Sequence, residues 1–96
     1  MQTDGFDWDE GNLAKCRKHG VSVAEVEEAL SLIRFVVDDP FDGEKRYRTV
    51  GVTRQGRYVF AVFTVRGHKV RPISVRYMHG KEVAQYEKEM AGLAKR

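Results

Sequence analysis

The stretch YVFAVFTV, residues 58–65, decides the fold because it is apolar at almost every position. A strand that alternates apolar and polar residues buries one face, whereas a strand that is apolar on both faces is typical of the interior of a sheet. β-Branched and aromatic residues dominate the stretch, and both types favour strands. We therefore predict a central strand over residues 58–65, with a neighbouring strand on each of its edges.

Turn-forming residues bound this stretch on both sides. Residues 54–57 and 66–69 each contain a glycine among charged or polar residues, which predicts turns to an earlier strand over residues 45–53 and a later strand over residues 70–77. Pro72 cannot donate a backbone hydrogen bond, so the later strand is predicted to be an edge strand or to be only partly paired at that point.

Two shorter strands are also predicted, one that opens the meander and one that lies before the helices at the start of the chain. Residues 34–37 are rich in β-branched and aromatic side chains and are followed by a turn over residues 38–43. Residues 6–8 form a brief apolar start that is consistent with a short strand. The sequence thus predicts an antiparallel meander of about four strands.

Helices are predicted on both sides of the meander. A first helix over residues 9–18 ends before Gly20, a residue suited to the left-handed position after a helix. A second helix begins at Ser22, which forms a capping box with Glu25. Residues 81–95 form a C-terminal amphipathic helix. Two N-terminal helices, a β-meander and one C-terminal helix predict an α+β fold in a single domain over residues 1–96.

Composition is typical of a folded protein that stays in the cytoplasm. The 96 residues are 42% hydrophobic and 32% charged, which does not favour disorder. No apolar run approaches the roughly 20 residues that span a membrane, and the acidic start of the chain does not resemble a secretory signal. Cys16 is the only cysteine, so we expect a structural thiol and no internal disulfide.

Charge changes sign along the chain. The first half contains several acidic patches, whereas residues 45–81 carry ten lysines and arginines and no acid. One-sided positive charge favours a polyanionic partner such as nucleic acid. The alternative is a solvated basic edge of the sheet with no partner, and charge alone does not decide between them.

No metal or cofactor site is predicted. The histidines His19, His68 and His79 are not spaced to place two of them on one helical face, and a second cysteine is lacking. The glycines are scattered and do not form a phosphate-binding loop. Any chemistry is therefore expected to rely on side chains alone.

The end of the last predicted strand carries the best candidates for such chemistry. Cleavage of RNA without a metal needs a base, an acid and a cation for the charge on phosphorus. Arg76 is the candidate cation, and His79 and Glu82 are the candidate groups for proton transfer. Tyr77 is a candidate stacking surface for a base, and Lys81 is a second cation. The alternative is an Arg76–Glu82 surface ion pair, with His79 capping the last helix.

Three further residues are candidate RNA contacts. Arg46 and Arg48 lie two apart in a predicted strand, so both are expected to face the same side of the sheet and to contact phosphates. His19 follows Lys18 and precedes Gly20. It is either an RNA contact or a residue that ends the first helix.

The order of these motifs resembles a known family. The run WDEGN at residues 8–12 and the run RKHGV at residues 17–21 resemble the opening of the BrnT toxin family. Residues 46–64 are similar to that family's strand meander, and residues 71–86 to its C-terminal signature. The resemblance covers about residues 6–88.

The resemblance implies a fold similar to the RelE group and a specific activity. It implies a ribonuclease toxin of a type II toxin–antitoxin system, which inhibits translation by cleaving RNA until an antitoxin binds it. The implied antitoxin resembles BrnA, a ribbon-helix-helix protein, and the implied complex is a heterotetramer that binds operator DNA. The family's basic and histidine positions match His19, Arg46, Arg48, Arg76 and the pair of His79 with Glu82.

A second function remains open at this point. A non-catalytic module that binds nucleic acid or protein through the same basic surface would show the same composition and strand pattern. Cleavage of RNA by the purified protein in the presence of EDTA distinguishes the two.

Overall fold

The computed structural model describes residues 4–32 and 36–94. Within these residues the helices are α1 (Glu10–Lys18), α2 (Val23–Ser31) and α3 (Gly80–Ala94). The strands are β1 (Val37–Asp38), β2 (Tyr47–Val52), β3 (Tyr58–Arg66) and β4 (Lys69–Tyr77). They form one antiparallel sheet in the order β1-β2-β3-β4. The predicted α+β fold is confirmed.

Strand β3 is the interior strand that its composition predicted. It pairs with β2 on one edge and with β4 on the other. Two rows of facing residues cross the sheet through it. One row joins Val50, Phe60 and Arg76, and the next joins Arg48, Val62 and Ser74.

The shorter predicted strands differ from the structure in length. The segment predicted over residues 34–37 overlaps β1 only at Val37, and residues 33–35 lie outside the described part of the chain. The segment over residues 6–8 makes a single parallel bridge, from Phe6 to Val70. It extends no further because Asp9 already caps α1.

Pro72 lies where the prediction placed a weak point. Strand β4 is an edge of the four-stranded sheet, and Pro72 pairs with Phe63 next to a register shift after Val62. The shift accommodates a residue that cannot donate to the ladder. The proline carbonyl is still used, because it accepts a hydrogen bond of 2.8 Å from the side chain of Asn12.

Each N-terminal helix begins at a side-chain cap. At α1, Asp9 and Asn12 exchange hydrogen bonds between side chain and backbone, with lengths of 2.8 and 3.2 Å. At α2, the Ser22 hydroxyl accepts from the backbone N–H of Glu25 at 3.2 Å, as the capping-box motif predicted. The Glu25 carboxylate is also used for a tertiary contact, because it accepts from the hydroxyl of Tyr77.

The core lies between α1, α2 and one face of the sheet. Its buried members in α1 and α2 include Cys16, Val26 and Leu30. Burial raises the pKa of the Cys16 thiol, which agrees with a structural role. Helix α2 approaches β2 so closely that a Cβ at Gly51 would lie 2.7 Å from the Ala29 carbonyl oxygen. No helix among the described residues is long and apolar enough to cross a membrane.

Candidate functional site

The sheet has two unlike faces. On the helix side, Val59, Ala61 and Phe63 of β3 are at most 2% exposed. On the other side, Tyr58, Phe60 and Val62 of β3 are half-buried. We call this side the open face. Its central members are Arg48, Val50, Phe60, Val62, Ser74 and Arg76.

Arg76 and Glu82 form a two-point ion pair at one end of the open face. The guanidinium donates to the two carboxylate oxygens at 2.8 and 2.9 Å. The side chains are 35% and 34% exposed, so the pair is accessible to a ligand. Arg76 also lies over Phe60, with its guanidinium carbon 5.1 Å from the ring centroid.

His79 lies beside this pair at the start of α3. Its backbone N–H donates to Glu82 at 2.9 Å, and its carbonyl accepts from Val83 at 3.0 Å. The hydrogen bonds from Arg76, and then from the His79 N–H, lower the pKa of the Glu82 carboxyl from 4.5 to about 2. The structure therefore brings Arg76, His79 and Glu82 together, in the ion-pair and capping geometry that was the alternative interpretation. Lys81 is exposed in the same first turn of α3.

Tyr77 lies on the other face of the sheet from Arg76. Its hydroxyl donates to Glu25 at 2.6 Å, and the guanidinium carbon of Arg57 lies 3.9 Å from its ring centroid. Burial, and then the bond to Glu25, raise the pKa of Tyr77. The strand remains regular to its end, so Tyr77 alternates onto the helix side. Its ring is occupied by these contacts and is not brought to the Arg76 cluster.

The other three predicted contacts are dispersed. Arg48 is on the open face, with its Nε 4.0 Å from Asp39. Arg46 lies just before β2, at the opposite end of the sheet from Tyr77, and its guanidinium carbon is 3.7 Å from the Phe41 ring centroid. His19 is the exposed C-cap of α1, where its backbone N–H donates to Cys16. His19 thus ends the helix, which was the alternative interpretation, and it is also exposed to solvent.

The charge asymmetry of the sequence is largely balanced in three dimensions. Cations of the basic segment, residues 45–81, pair with acids that precede it in the chain. The pairs are Lys45–Asp38, Arg48–Asp39, Arg54–Glu28, Arg57–Glu25, Arg66–Glu44, Arg71–Asp7 and Arg71–Asp9. Among the described cations of residues 45–81, Arg46, Lys69 and Lys81 form no ion pair within 4.0 Å. The acidic patches therefore help to hold the fold, and only part of the positive charge is available to a polyanion.

Phe60 is a residue of the open face that sequence reasoning did not single out. Its stretch is apolar at both parities, so composition alone does not show which side faces the helices. The register does show it, because Phe60 pairs with Arg76. The sequence carries no local signal for this position, because the register between β3 and β4 is set only in the folded chain.

The described residues do not bring three His, Cys, Asp or Glu side chains close enough to hold a metal ion. The fold and the open face together define a small basic α+β protein that presents arginines on an exposed sheet surface. A family model described as "Ribonuclease toxin, BrnT, of type II toxin-antitoxin system" matches residues 8–82. The chain therefore belongs to the BrnT family of ribonuclease toxins. No curated protein and no solved structure matched the chain significantly.

Family membership indicates the activity and the partners of the chain. It implies ribonuclease activity, an RNA substrate and an antitoxin partner. The matched region ends at residue 82 and so contains Arg76, His79 and Glu82.

Proposed function

We propose that this chain is a metal-independent endoribonuclease toxin that inhibits translation in the cytoplasm by cleaving RNA at the Arg76 end of the open face. The observation that carries the proposal is the accessible cluster of Arg76, Glu82 and His79, where β4 meets α3. The cluster supplies a cation from the end of β4, and it supplies two groups capable of proton transfer, His79 and Glu82, at the start of α3.

The proposed reaction needs no group from outside the chain. The 2′-hydroxyl oxygen attacks the adjacent phosphorus, and the bond from phosphorus to the 5′ oxygen breaks. The products are a 2′,3′-cyclic phosphate and a 5′-hydroxyl. A base takes the proton of the 2′-hydroxyl and an acid gives a proton to the 5′ oxygen. Arg76 neutralises the charge that develops on the phosphorane oxygens.

His79 and Glu82 share the proton transfer in this proposal. The His79 ring is assigned to this role because an imidazole can both accept and donate a proton. Glu82 is a weak base while it is paired, because its pKa is about 2. A phosphate that binds Arg76 competes with the carboxylate for the guanidinium. Glu82 is then released, and its pKa rises towards the ordinary value of 4.5.

The remaining candidate residues contact RNA outside the cleavage point. Arg48 shares the open face with Arg76, and Lys81 lies one position from Glu82. We assign both to phosphates near the cluster. Arg46 lies just before β2 and His19 at the end of α1, so we assign them to flanking phosphates. Tyr77 is kept only as a residue that positions the end of β4.

The proposed partner is a BrnA-like antitoxin with a ribbon-helix-helix module. The family implies an antitoxin. We propose that the two proteins form a heterotetramer that binds operator DNA. Growth arrest on expression of this chain alone, and recovery on co-expression with the antitoxin, supports the pairing.

The test of the activity is RNA cleavage by the purified protein in excess EDTA. Arg76→Ala is expected to lower the cleavage rate by about 10²–10³-fold, and His79→Ala by about 10²–10⁴-fold. The matched control is Arg66→Ala, because Arg66 makes a similar two-point pair with Glu44, at 2.9 and 3.0 Å, elsewhere in the molecule. Cleavage that stops in EDTA, or that survives both site variants with the fold intact, contradicts the proposal.

A second candidate function is a non-catalytic module that binds nucleic acid or protein. The observation that favours it is the two-point pairing of Arg76 with Glu82, which lowers the pKa of Glu82 to about 2 and makes this carboxylate a weak base. RNA that is bound but not cut by the wild-type chain would support this function.

A further inference from the structure

We propose that Phe60 is the stacking platform for an unpaired RNA base on the open face. The inference rests on the proposed function, because it assumes that RNA binds there, and it adds the position of one nucleotide. Phe60 lies outside the sequence segment that contains the cleavage cluster.

Phe60 is not a member of the core cluster that the described residues form. The aromatic residues that pack against the core cluster are Phe6, Trp8, Tyr47 and Tyr77, and Phe63 is a member of it. Phe60 points to the opposite side of β3, between Val59 and Ala61, which are 0% and 1% exposed. A large half-buried ring at the centre of the sheet thus contributes little to the packing of α1 and α2.

The neighbouring aromatic residue on the same face is already engaged. The Tyr58 ring meets Tyr86 of α3 edge-on, with centroids 5.8 Å apart, and its hydroxyl donates to Glu87 at 3.1 Å. Helix α3 therefore covers the end of the open face at Tyr58, and its residues Tyr86 and Met90 line a groove with Val50 on the β2 side. Phe60 lies one row further along, where its described ring contact is with Arg76.

Cations flank Phe60 on both neighbouring strands. Arg76 faces it directly on β4, and Arg48 lies on β2 in the next row. Single-stranded nucleic acids bind where aromatic rings receive bases and cations receive the phosphates on either side. A base on Phe60 would place its own phosphates between Arg48 and Arg76, next to the cluster that is proposed to cut.

The stacking face is also compatible with the pairing of Arg76. The guanidinium carbon is 5.1 Å from the ring centroid while Arg76 is bound to Glu82. A phosphate that draws Arg76 away from Glu82 also exposes more of the ring. Binding of the phosphate and stacking of the base are therefore expected to reinforce each other.

The test measures binding of a short 2′-O-methyl oligoribonucleotide, which cannot be cut because the attacking hydroxyl is blocked. A series of these probes carries one abasic site at each position in turn. With the wild-type chain, we expect one position at which base removal weakens binding by about 5- to 150-fold. In Phe60→Leu that penalty disappears, and in Phe60→Trp it remains. All variants are first compared in thermal midpoint.

The matched control is Phe41→Leu. Phe41 is a second phenylalanine in contact with an arginine, Arg46, but it lies outside the open face. We expect this variant to keep the wild-type penalty. A penalty that survives in Phe60→Leu, or one that disappears in Phe41→Leu instead, overturns the assignment of Phe60.

Two other outcomes are distinguished by the same experiment. If Phe60→Leu weakens binding of the antitoxin and leaves the abasic profile of RNA unchanged, the ring serves a protein partner and the inference is overturned. If wild-type protein binds the probes as expected but does not cut unmodified RNA, the proposed nuclease activity fails and the stacking role stands.

Discussion

The two faces of the sheet are built from the same strands and do different work. Along β3, Val59, Ala61 and Phe63 are buried against helices, whereas Tyr58, Phe60 and Val62 are only half-buried. The composition of the two sets is similar, because both contain aromatic and β-branched residues. What separates them is the neighbouring strand residues, which on the open face include Arg48, Ser74 and Arg76.

We therefore expect the helix side of the sheet to contribute most to stability, and we propose the open face as the surface that binds ligand. Removing a buried side chain leaves a cavity that the surrounding structure only partly fills. Removing a half-buried side chain from an open surface leaves a space that water can occupy. Substitutions on the two faces should therefore be separable by measuring stability and RNA binding on the same variants.

The largest expected effect is on stability, and it appears when substitutions of Phe63 and Phe60 are compared. Phe63 is 2% exposed, so Phe63→Ala is expected to lower the free energy of unfolding by about 3–5 kcal/mol. Phe60→Ala is expected to cost at most about half as much, because the ring is not fully removed from water. Urea unfolding midpoints give the comparison. Because small domains have only about 5–15 kcal/mol of stability in total, Phe63→Leu serves if the alanine variant does not fold. Equal losses at both positions would mean that the open face is closed by packing that the described contacts do not include.

The central strand and the cap of α2 were predictable because their signals are local. The apolar run of β3 and the pairing of Ser22 with the N–H of Glu25 each involve residues close in sequence. The role of Tyr77 was not predictable in the same way. Its hydroxyl bonds to Glu25, which lies 52 positions away along the chain, and only the folded arrangement brings the two together.

The candidate site shows the same limit. The grouping of Arg76, His79 and Glu82 was predicted because these residues lie within seven positions at the junction of a strand and a helix. The place of Phe60 beside Arg76 depends on the register between β3 and β4, which the sequence does not state. The neutralisation of the basic segment by the first-half acids likewise depends on tertiary pairing, as Arg71 with Asp9 at 2.7 Å illustrates.

An intermediate effect is expected in the salt dependence of RNA binding. Each phosphate contact by a cation releases counterions, so the logarithm of affinity falls with the logarithm of salt concentration by about 0.7 per contact for a single strand. Arg48→Gln removes one cation of the open face and is expected to reduce that slope by about this amount. Arg54→Gln is the control, because it removes the same charge from a side chain that is 86% exposed and paired with Glu28, a residue of the α2 side. An equal change in both variants would indicate a diffuse attraction instead of a contact on the open face.

The smallest expected effect is on thermal stability at acid pH, and it tests the pairing of Glu82 with Arg76. The folded-state pKa of Glu82 is about 2, below the ordinary value of 4.5, because Arg76 and the His79 N–H favour the ionised carboxylate. A group whose pKa is lowered on folding stabilises the protein above its unfolded pKa, and that contribution is lost as the pH falls through the folded value. The wild type is therefore expected to exceed Glu82→Gln in thermal midpoint above pH 4.5, and the difference should shrink towards pH 2. The effect is small because the pair is about one-third exposed, and solvent screens it.

Glu44→Gln is the matched control, since the Glu44 carboxyl has a pKa lowered mainly by Arg66 in the same two-point geometry away from the open face. A Glu82→Gln difference that stays constant down to pH 2 would show that Glu82 acts through packing and not through its charge, and the exchange of Arg76 between carboxylate and phosphate would lose its basis.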